Sequence, residues 1–294
     1  MSPKGRPEGE YRSAQHEGTP VSPKGRPEGE YRSAQHEGTP VTPFNLARIE
    51  EAGLNAMQSQ RQLFYDGWLL KVSPGVAKRG RSVNAYFGSS LPLAGKLAYC
   101  ENVYARHGLP TLFRITPFVQ PAGLDAELAL RGYEAFGETL VQAVALERPP
   151  ALPEHDDAVV VEAPDTPAFV DAVGDLRELT PAQREAHRER LMNSPLGKRY
   201  AVVRAGERVV CTAQIAVEAE LAGLFDVITA PDARRQGFAT LACASLLSWA
   251  WQHGAHAAYL QVSADNAPAI GSYRRFGFAT VYTYHYRGRP GQCE

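Results

Sequence analysis

The sequence predicts an α/β fold in which helices flank a mixed sheet, with two similar halves in tandem behind a disordered N-terminal repeat. First, an apolar run from Leu221 to Ile228 is followed by a basic turn and a helical segment from Thr240 to His253, an order typical of α/β proteins. Second, the order of elements over residues 42–148 is similar to the order over residues 149–294. Third, residues 2–21 recur without a change as residues 22–41.

The composition is that of a soluble globular protein, since 44% of the 294 residues are hydrophobic and 21% are charged. A formal net charge of −1 gives no reason to expect a nucleic-acid partner. No apolar run approaches the ~18 residues of a membrane span and the N-terminus has no signal-peptide core, so we expect a cytoplasmic protein without a membrane partner. The cysteines form no Cys-x-x-Cys or Cys/His cluster, which predicts reduced thiols and no metal site. They are Cys100, Cys211, Cys243 and Cys293.

Residues 1–41 are predicted to be disordered. The 20-residue unit, present twice in perfect tandem, has no apolar cluster, and its opposite charges cancel. Such a segment buries too little surface to offset the entropy lost on ordering. Two copies without hydrophobic positions also cannot stack into a solenoid.

The first half, residues 42–148, begins with a mostly apolar helical stripe that runs from Leu46 to Phe64 and ends at Asp66-Gly67. A second helix ends at Gly108, which suits a C-terminal glycine cap. The further predicted elements are strands Trp68–Val72 and Ser82–Phe87, helix Pro92–His107, strand Thr111–Thr116, helix Leu124–Arg131 and strand Thr139–Leu146.

The second half follows the proline-rich connector Arg148–Glu154. Thr166-Pro167 and Thr180-Pro181 each indicate a helix start, and Thr180 with Gln183 fits a capping box. The predicted strands are Ala158–Glu162, Tyr200–Arg204, Val209–Val217, Leu221–Ile228, Ala257–Val262 and Ala279–Tyr286. The histidines are scattered, and the Arg/Glu-rich segment 183–190 is interpreted as a solvated helix face.

The junction after Ile228 predicts a phosphate site. Gly237 and Ala239 lie where the long helix begins, and neither has the bulk to block a close approach to the unpaired backbone N–H groups there. Arg234 and Arg235 add positive charge beside this helix end. The Walker pattern and a Gly-x-Gly-x-x-Gly are both absent, so the expected ligand is a diphosphate held in another kind of loop.

The spacing Arg234-x-x-Gly237-x-Ala239 resembles the pyrophosphate loop of the GNAT superfamily of N-acetyltransferases. About 30 residues later, Asn266 is followed by Tyr273 and then by Gly277-Phe278, which is similar to a second motif of that superfamily. The resemblance covers residues 158–287 and implies a catalytic domain over 149–294 with acetyl-CoA as co-substrate. It implies cofactor contacts from Val227, Ile228, Thr229, Arg234, Arg235, Gln236, Gly237, Phe238, Ala239, Thr240 and Asn266.

The first half is interpreted as a degenerate GNAT-like domain. Its equivalent of the phosphate loop is the segment 88–93, which lacks Arg-x-x-Gly-x-Ala, and it has no matching Asn and Tyr. We therefore expect this half not to bind CoA but to pack on the active half or shape its acceptor site. The alternative is an unrelated α/β domain.

The resemblance assigns Tyr273 as the acid that protonates the leaving thiolate, although an aromatic side chain at helical spacing can also be a core residue. The Val227 N–H would stabilise the oxyanion. For the general base, Asp226 is the first candidate because its apolar neighbours Phe225 and Val227 are expected to raise its pKa. Glu218, Glu220 or ordered water are the alternatives.

The predicted function is acetyl transfer from acetyl-CoA to a primary amine of a small molecule, directly within a ternary complex, since no cysteine is placed to form an acyl-enzyme. One alternative is a protein or peptide amine as acceptor. Another is a non-catalytic acyl-CoA-binding module that regulates a partner. An acceptor channel rich in carboxylates would indicate polyamines or aminoglycosides.

Overall fold

A computed structural model of the chain describes residues 44–59, 61–155 and 159–292. The predicted disordered repeat over 1–41 lies outside the described residues, as do Ala158, the predicted start of a strand, and Cys293.

The described helices bear out most of the predicted order. They are α1 (Leu46–Ala56), α2 (Leu93–Arg106), α3 (Leu124–Leu130), α4 (Thr166–Leu176), α5 (Pro181–Met192), α6 (Phe238–Gln252) and α7 (Ala267–Arg274). Short 3-10 turns lie at Lys78–Gly80 and Pro231–Ala233.

The strands of the first half are β1 (Gln62–Tyr65), β2 (Trp68–Lys71), β3 (Val83–Asn84), β4 (Phe113–Ile115) and β5 (Glu134–Ala145). Those of the second half are β6 (Val159–Glu162), β7 (Gly197–Ala205), β8 (Arg208–Glu218), β9 (Leu221–Thr229), β10 (Ala257–Ser263) and β11 (Ala279–Gly288).

All eleven described strands form one mixed sheet in the order β1-β2-β3-β4-β11-β5-β10-β9-β8-β7-β6. The parallel pairs are β3 with β4 and β9 with β10, and the remaining neighbours are antiparallel. The predicted α/β fold with a mixed sheet is confirmed.

The last strands of the two halves are exchanged within this sheet. Each half has the order strand, helix, parallel strand, helix, strand: β3-α2-β4-α3-β5 in the first and β9-α6-β10-α7-β11 in the second. Yet β5 pairs with β10 of the second half, and β11 pairs with β4 of the first half. The two exchanged strands pair with each other at the centre. One sheet therefore runs through both halves, and the boundary at residue 148 stays a prediction.

Both faces of the sheet are covered near β9, which explains its apolar run. Ala222 and Leu224 belong to the core cluster under α6. Leu221 and Phe225 belong to the cluster under α1 on the opposite face. A strand that is buried on both faces loses the alternation of apolar and polar residues.

The predicted helix that ran from Leu46 to Phe64 is wrong in its second part. The helix ends at Ala56, and Gln62–Tyr65 forms a hairpin with Trp68–Lys71 instead. The turn between these strands contains Asp66 at φ 43° and Gly67 at φ 83°. Antiparallel pairing in the sheet thus outweighs the helical spacing of the apolar residues.

The two predicted helix starts of the second half differ in detail. Thr180 and Gln183 form both bonds of the capping box, as predicted. At α4, however, the cap is Asp165, whose Oδ1 accepts a hydrogen bond from Ala168 N at 2.9 Å, so Thr166 is already helical.

Candidate active site

A β-bulge lies in β9 beside Val227, whose N–H is predicted to stabilise the oxyanion. On β8, Thr212 pairs with Ile228 and Gln214 pairs with Phe225, so β9 carries one extra residue between these points. Asp226, at the bulge, has φ 46°. On the other side, β9 pairs with β10 only from Leu221 to Leu224. Beyond Leu224 the two parallel strands separate, and a cleft forms between them.

The first turn of α6 closes one end of this cleft. Gly237 is the residue before the helix and has φ +87°, a conformation that favours glycine. A Cβ at this position would lie 3.1 Å from the ring of His155, so a side chain here would also crowd that ring. Arg235, at φ 65°, lies in the same turn, and the first N–H groups of the helix form the positive end of its dipole.

The cleft has a volume of about 1130 Å³. Every predicted cofactor residue except Gln236 lines it, and so does Tyr273. Gln236 instead donates from Nε2 to the Asp232 carbonyl at 3.4 Å. Asn266 lines the cleft and also caps α7, because its Oδ1 accepts a hydrogen bond from Ala269 N at 3.2 Å.

Tyr273 lies on α7 and is half-buried, with its ring 6.1 Å from the ring of Phe278 in an edge-on arrangement. Burial raises the pKa of Tyr273 well above its usual value, and the neighbouring thiols of Cys243 and Cys211 raise it further. The phenol therefore keeps its proton at neutral pH and can act as a hydrogen-bond donor into the cleft.

Asp226 is held by cations, and the expectation of a raised pKa is wrong. Its Oδ2 accepts a hydrogen bond from Gln214 Nε2 at 2.7 Å and lies 3.2 Å from Nε2 of His187. Arg190 Nη2 and Arg177 Nη2 each lie 3.6 Å from a carboxylate oxygen. Burial alone would raise the pKa of Asp226, but His187 and the two arginines outweigh it and hold the pKa well below the usual range.

The alternative carboxylates lie elsewhere. Glu218 accepts hydrogen bonds from Asn55 Nδ2 at 3.1 Å and from Arg48 Nη2 at 3.2 Å, which ties the end of β8 to α1. Glu220 is exposed in the turn before β9. Neither residue lines the cleft.

A second, smaller cavity of about 60 Å³ lies beside the bulge, between the two halves. One wall is the segment 73–80 of the first half, and the other is formed by α4 and α5. Asp226, His187 and Arg190 line it, and Arg177 lines both this cavity and the cleft. The two spaces therefore share Arg177 as part of their walls.

The sequence did not predict His187 and Arg190 as site residues. His187 was treated as one of the scattered histidines, and Arg190 was placed on a solvated helix face. His187 is 8% exposed, and the side chain of Arg190 is 15% exposed. Their spacing of three residues places both on one face of α5. That spacing is present in the sequence, but nothing local shows that this face of the helix meets a buried carboxylate.

In the first half, a carboxylate of the chain lies at the position that corresponds to the phosphate loop. Asp66 accepts backbone hydrogen bonds from Ser90 N at 2.9 Å and Leu91 N at 2.9 Å, just before α2 begins. The hydroxyl of Ser90 donates to Asp66 at 2.8 Å, and Lys96 Nζ lies 3.1 Å from its Oδ2. Two N–H groups of the segment 88–93 thus bind a carboxylate of the same chain.

Across the described ranges, no group of three or more His, Cys, Asp or Glu side chains could hold a metal ion. The same ranges contain no helix long and apolar enough to cross a membrane.

Comparisons with known proteins agree on the family. Residues 45–287 match the family model described as "Probable histone acetyltransferase Rv0428c C-terminal". The chain is 26% identical over 246 residues to the uncharacterized N-acetyltransferase YobR of Bacillus subtilis (strain 168), a match that covers 83% of this chain and 98% of that protein.

Two solved structures show the same fold. A GCN5-related N-acetyltransferase from Kribbella flavida has a TM-score of 0.64 at 20% identity, over 85% of this chain and 97% of that chain. The tandem GNAT protein from the clavulanic acid biosynthesis pathway has a TM-score of 0.54 at 13% identity, over 70% of this chain and 74% of that chain.

Proposed function

Because this chain belongs to the family of the probable histone acetyltransferase Rv0428c C-terminal region and is a GNAT-superfamily N-acetyltransferase, we propose that its second half moves an acetyl group to a primary amine of a small molecule. The transfer is direct, within a ternary complex. The observation that carries this proposal is the cleft itself, because it brings ten of the eleven predicted cofactor residues together with Tyr273.

The start of α6 fits the pyrophosphate of acetyl-CoA. Gly237 lines the cleft and has no side chain, and the first N–H groups of the helix have no partner within the helix. Arg234 and Arg235 line the same end of the cleft and supply positive charge. Acetyl-CoA supplies the acetyl group as a thioester, and Val227–Thr229 line the cleft along the strand that would hold its arm.

At the bulge, three residues are proposed to have separate roles in the transfer. The backbone N–H of Val227 is proposed to donate to the developing oxyanion. Tyr273, which keeps its proton at neutral pH, is proposed to donate it to the leaving thiolate. The low pKa of Asp226 makes it a weak base, so we assign it the task of holding His187 and the arginines in position, and water removes the amine proton.

The acceptor enters through the smaller cavity beside Asp226. This cavity and the cleft share Arg177 as part of their walls, next to the bulge where the acetyl group is proposed to lie. Its position between the halves supports the expectation that the first half shapes the acceptor site. Because the family is that of a probable histone acetyltransferase, a peptide amine is the second candidate acceptor. Screening of small amines and peptides distinguishes the two classes of acceptor.

The test is calorimetric titration of the full chain with acetyl-CoA. Gly237→Trp should abolish binding, because it adds a bulky side chain to a residue that lines the cleft. The matched control is Gly254→Trp, because Gly254 follows the same helix at φ +89° but has no atom within 4 Å of the point that a Cβ would occupy. Both variants carry similar backbone strain, and only one intrudes on the cleft. A folded wild-type protein that binds no acetyl-CoA, or a Gly237→Trp variant that binds like the control, would contradict the proposal.

A further inference from the structure

The small cavity beside the bulge is strongly basic. Arg177, His187 and Arg190 line it, and Asp226 is the one carboxylate among its described lining residues. Two further cations lie close to Arg190. Burial lowers the pKa of Arg190, and Arg79 lowers it further. Burial and the charge of Arg190 together lower the pKa of Lys198 to about 8. Arg177, His187 and Arg190 thus share one acidic group, Asp226, and Arg79 and Lys198 add positive charge near Arg190.

These cations are short of partners. Within the described ranges, Asp226 is the only carboxylate within salt-bridge distance of Arg177 or Arg190, at 3.6 Å in each case. Lys198 donates to a neutral acceptor, the Leu191 carbonyl, at 3.2 Å. Nη1 of Arg79 is buried and has no hydrogen-bond partner in the described part of the chain. Partly buried positive charges that lack a counterion are costly, unless a ligand supplies the negative charge.

The cavity is also in the right place to select the acceptor. It adjoins the bulge, it is bounded by both halves, and Arg177 faces both it and the cleft. With a volume of about 60 Å³, it holds a small group rather than a whole molecule. A carboxylate or a phosphate group has that size, and the planar guanidinium groups of arginine suit both.

We propose that this cavity binds an anionic group of the acceptor, a carboxylate or a phosphate, so that the acceptor is a primary amine that also carries negative charge. This inference rests on the proposed function. It excludes the acceptors that a carboxylate-rich channel would indicate, since polyamines and aminoglycosides bring positive charge to a positive site, and it excludes lysine-rich peptides for the same reason. The same cations favour the neutral form of a bound amine, which is the nucleophilic form.

The experiment measures kcat/KM for thiol release from acetyl-CoA with matched pairs of amines. Leucine and methionine are compared with their amides, which lack the carboxylate, and phosphoethanolamine is compared with ethanolamine. Spermidine and a lysine-rich peptide are the cationic probes. We expect the anionic member of at least one pair to be favoured about tenfold or more, because hydrogen bonds to charged groups are the stronger ones. The pair that is favoured distinguishes carboxylate from phosphate.

Variants test the residues. Arg190→Gln should raise KM for the favoured anionic amine about tenfold or more and leave KM for its neutral partner nearly unchanged. The matched control is Arg188→Gln on the same helix, because Arg188 pairs at the surface with Glu185 and Asp171. It should leave both constants unchanged.

The results of these experiments distinguish a failure of this inference from a failure of the proposed function. Acetyl-CoA titration of each variant reports on folding and on the cofactor site. A protein that binds acetyl-CoA but turns over none of the anionic amines, or that prefers spermidine, the peptide or the neutral partners, overturns the inference while the transferase function stands. A folded wild-type protein that does not bind acetyl-CoA would instead contradict the proposed function.

Discussion

At the residue scale, Asp226 shows how neighbours in sequence differ from neighbours in space. Phe225 and Val227 flank it along the strand, but successive side chains of a strand point to opposite faces. The groups that surround its carboxylate come from α4, α5 and β8: Arg177, His187, Arg190 and Gln214. Apolar neighbours along the chain predicted a raised pKa, and ion pairs from distant elements lower it.

Asp226→Asn should lower the free energy of unfolding by about 3 kcal/mol, because it leaves partly buried cations without their counterion. Chemical denaturation at neutral pH measures the change. Asp171→Ala is the control, since Asp171 is an exposed partner of Arg188 at 3.5 Å and should cost much less. Equal losses of unfolding free energy in the two variants would show that the ion pairs around Asp226 stabilise the fold no more than a surface ion pair does.

The pH dependence follows from the same ion pairs. The pKa of Asp226 is lower in the folded state than its usual value of 3.8. Its contribution to stability is therefore present above about pH 4 and is lost as the pH falls through the folded pKa. We expect the difference in unfolding free energy between wild type and Asp226→Asn to persist down to about pH 5 and to be lost only in stronger acid. A difference that already disappears near pH 6 would contradict this.

Tyr273 carries the prediction on catalysis. Tyr273→Phe removes the proton donor and keeps the ring that packs against Phe278. Turnover should fall about 10²- to 10⁴-fold, as for the loss of a general acid, while the affinity for acetyl-CoA is retained. Steady-state kinetics and calorimetry give the two quantities.

Tyr99→Phe on α2 is the matched control for that change, because Tyr99 is 38% exposed and stacks on Tyr65 within the first half. It should leave turnover unchanged. If Tyr273→Phe keeps full turnover, the tyrosine is a packing residue and the thiolate is protonated by another group.

At the scale of elements, α2 and α6 occupy equivalent places in the two halves but begin differently. The turn before α6 contains Gly237, and its N–H groups lie open to the cleft. The turn before α2 instead binds the carboxylate of Asp66 through Leu91 and Ser90. These backbone hydrogen bonds hold the pKa of Asp66 well below its usual range. An internal carboxylate thus takes the place where a phosphate would bind, which supports the prediction that the first half does not bind CoA.

Asp66→Ala should lower the melting temperature, because it leaves two N–H groups and the Ser90 hydroxyl without their acceptor and removes the partner of Lys96. Acetyl-CoA should still bind at one site per chain, since the segment 88–93 lacks the Arg-x-x-Gly-x-Ala spacing of the second half. Thermal unfolding and calorimetric stoichiometry measure these two effects.

Glu127→Ala is the comparison for that variant, because Glu127 forms an exposed pair with Arg131 on α3. An unchanged melting temperature in Asp66→Ala would mean that the loop before α2 does not depend on the carboxylate. A second acetyl-CoA site in that variant would show that the carboxylate alone had blocked it.

At the scale of the whole molecule, the exchanged strands make each half incomplete without the other. Val141 and Ala143 of β5 are buried between β10 and β11. Tyr282 of β11 donates to Glu50 of α1 at 2.8 Å, and Glu50 also pairs with the buried Arg114 of β4. A cut at residue 148 would therefore separate neighbouring strands of one sheet and expose their edges.

We expect residues 149–294 expressed alone not to fold into a monomer that binds acetyl-CoA. Co-expression of residues 42–148 with residues 149–294 should restore a complex of the two chains that binds it. Size-exclusion chromatography, circular dichroism and calorimetry distinguish the outcomes. A second half that unfolds cooperatively as a monomer and binds acetyl-CoA would show that the exchange is dispensable.

The sequence by itself determined what depends on short stretches of chain. The apolar run of β9, the capping box at Thr180 and the glycine before α6 are each set by a few consecutive residues, whose backbone preferences act locally. The two motifs, read together, also identified the superfamily, and all but one of the cofactor residues that they implied line the cleft.

Only the tertiary structure decided the exchange of β5 and β11, the hairpin at Gln62–Tyr65 and the charges around Asp226. These depend on contacts between residues far apart in the chain, such as Glu50 with Tyr282, which no local pattern records. A helical face shows its spacing in the sequence, but the group that it meets is fixed by the packing of the whole sheet. For that reason the motifs predicted the residues of the cleft, and no local pattern predicted the basic cavity between the halves.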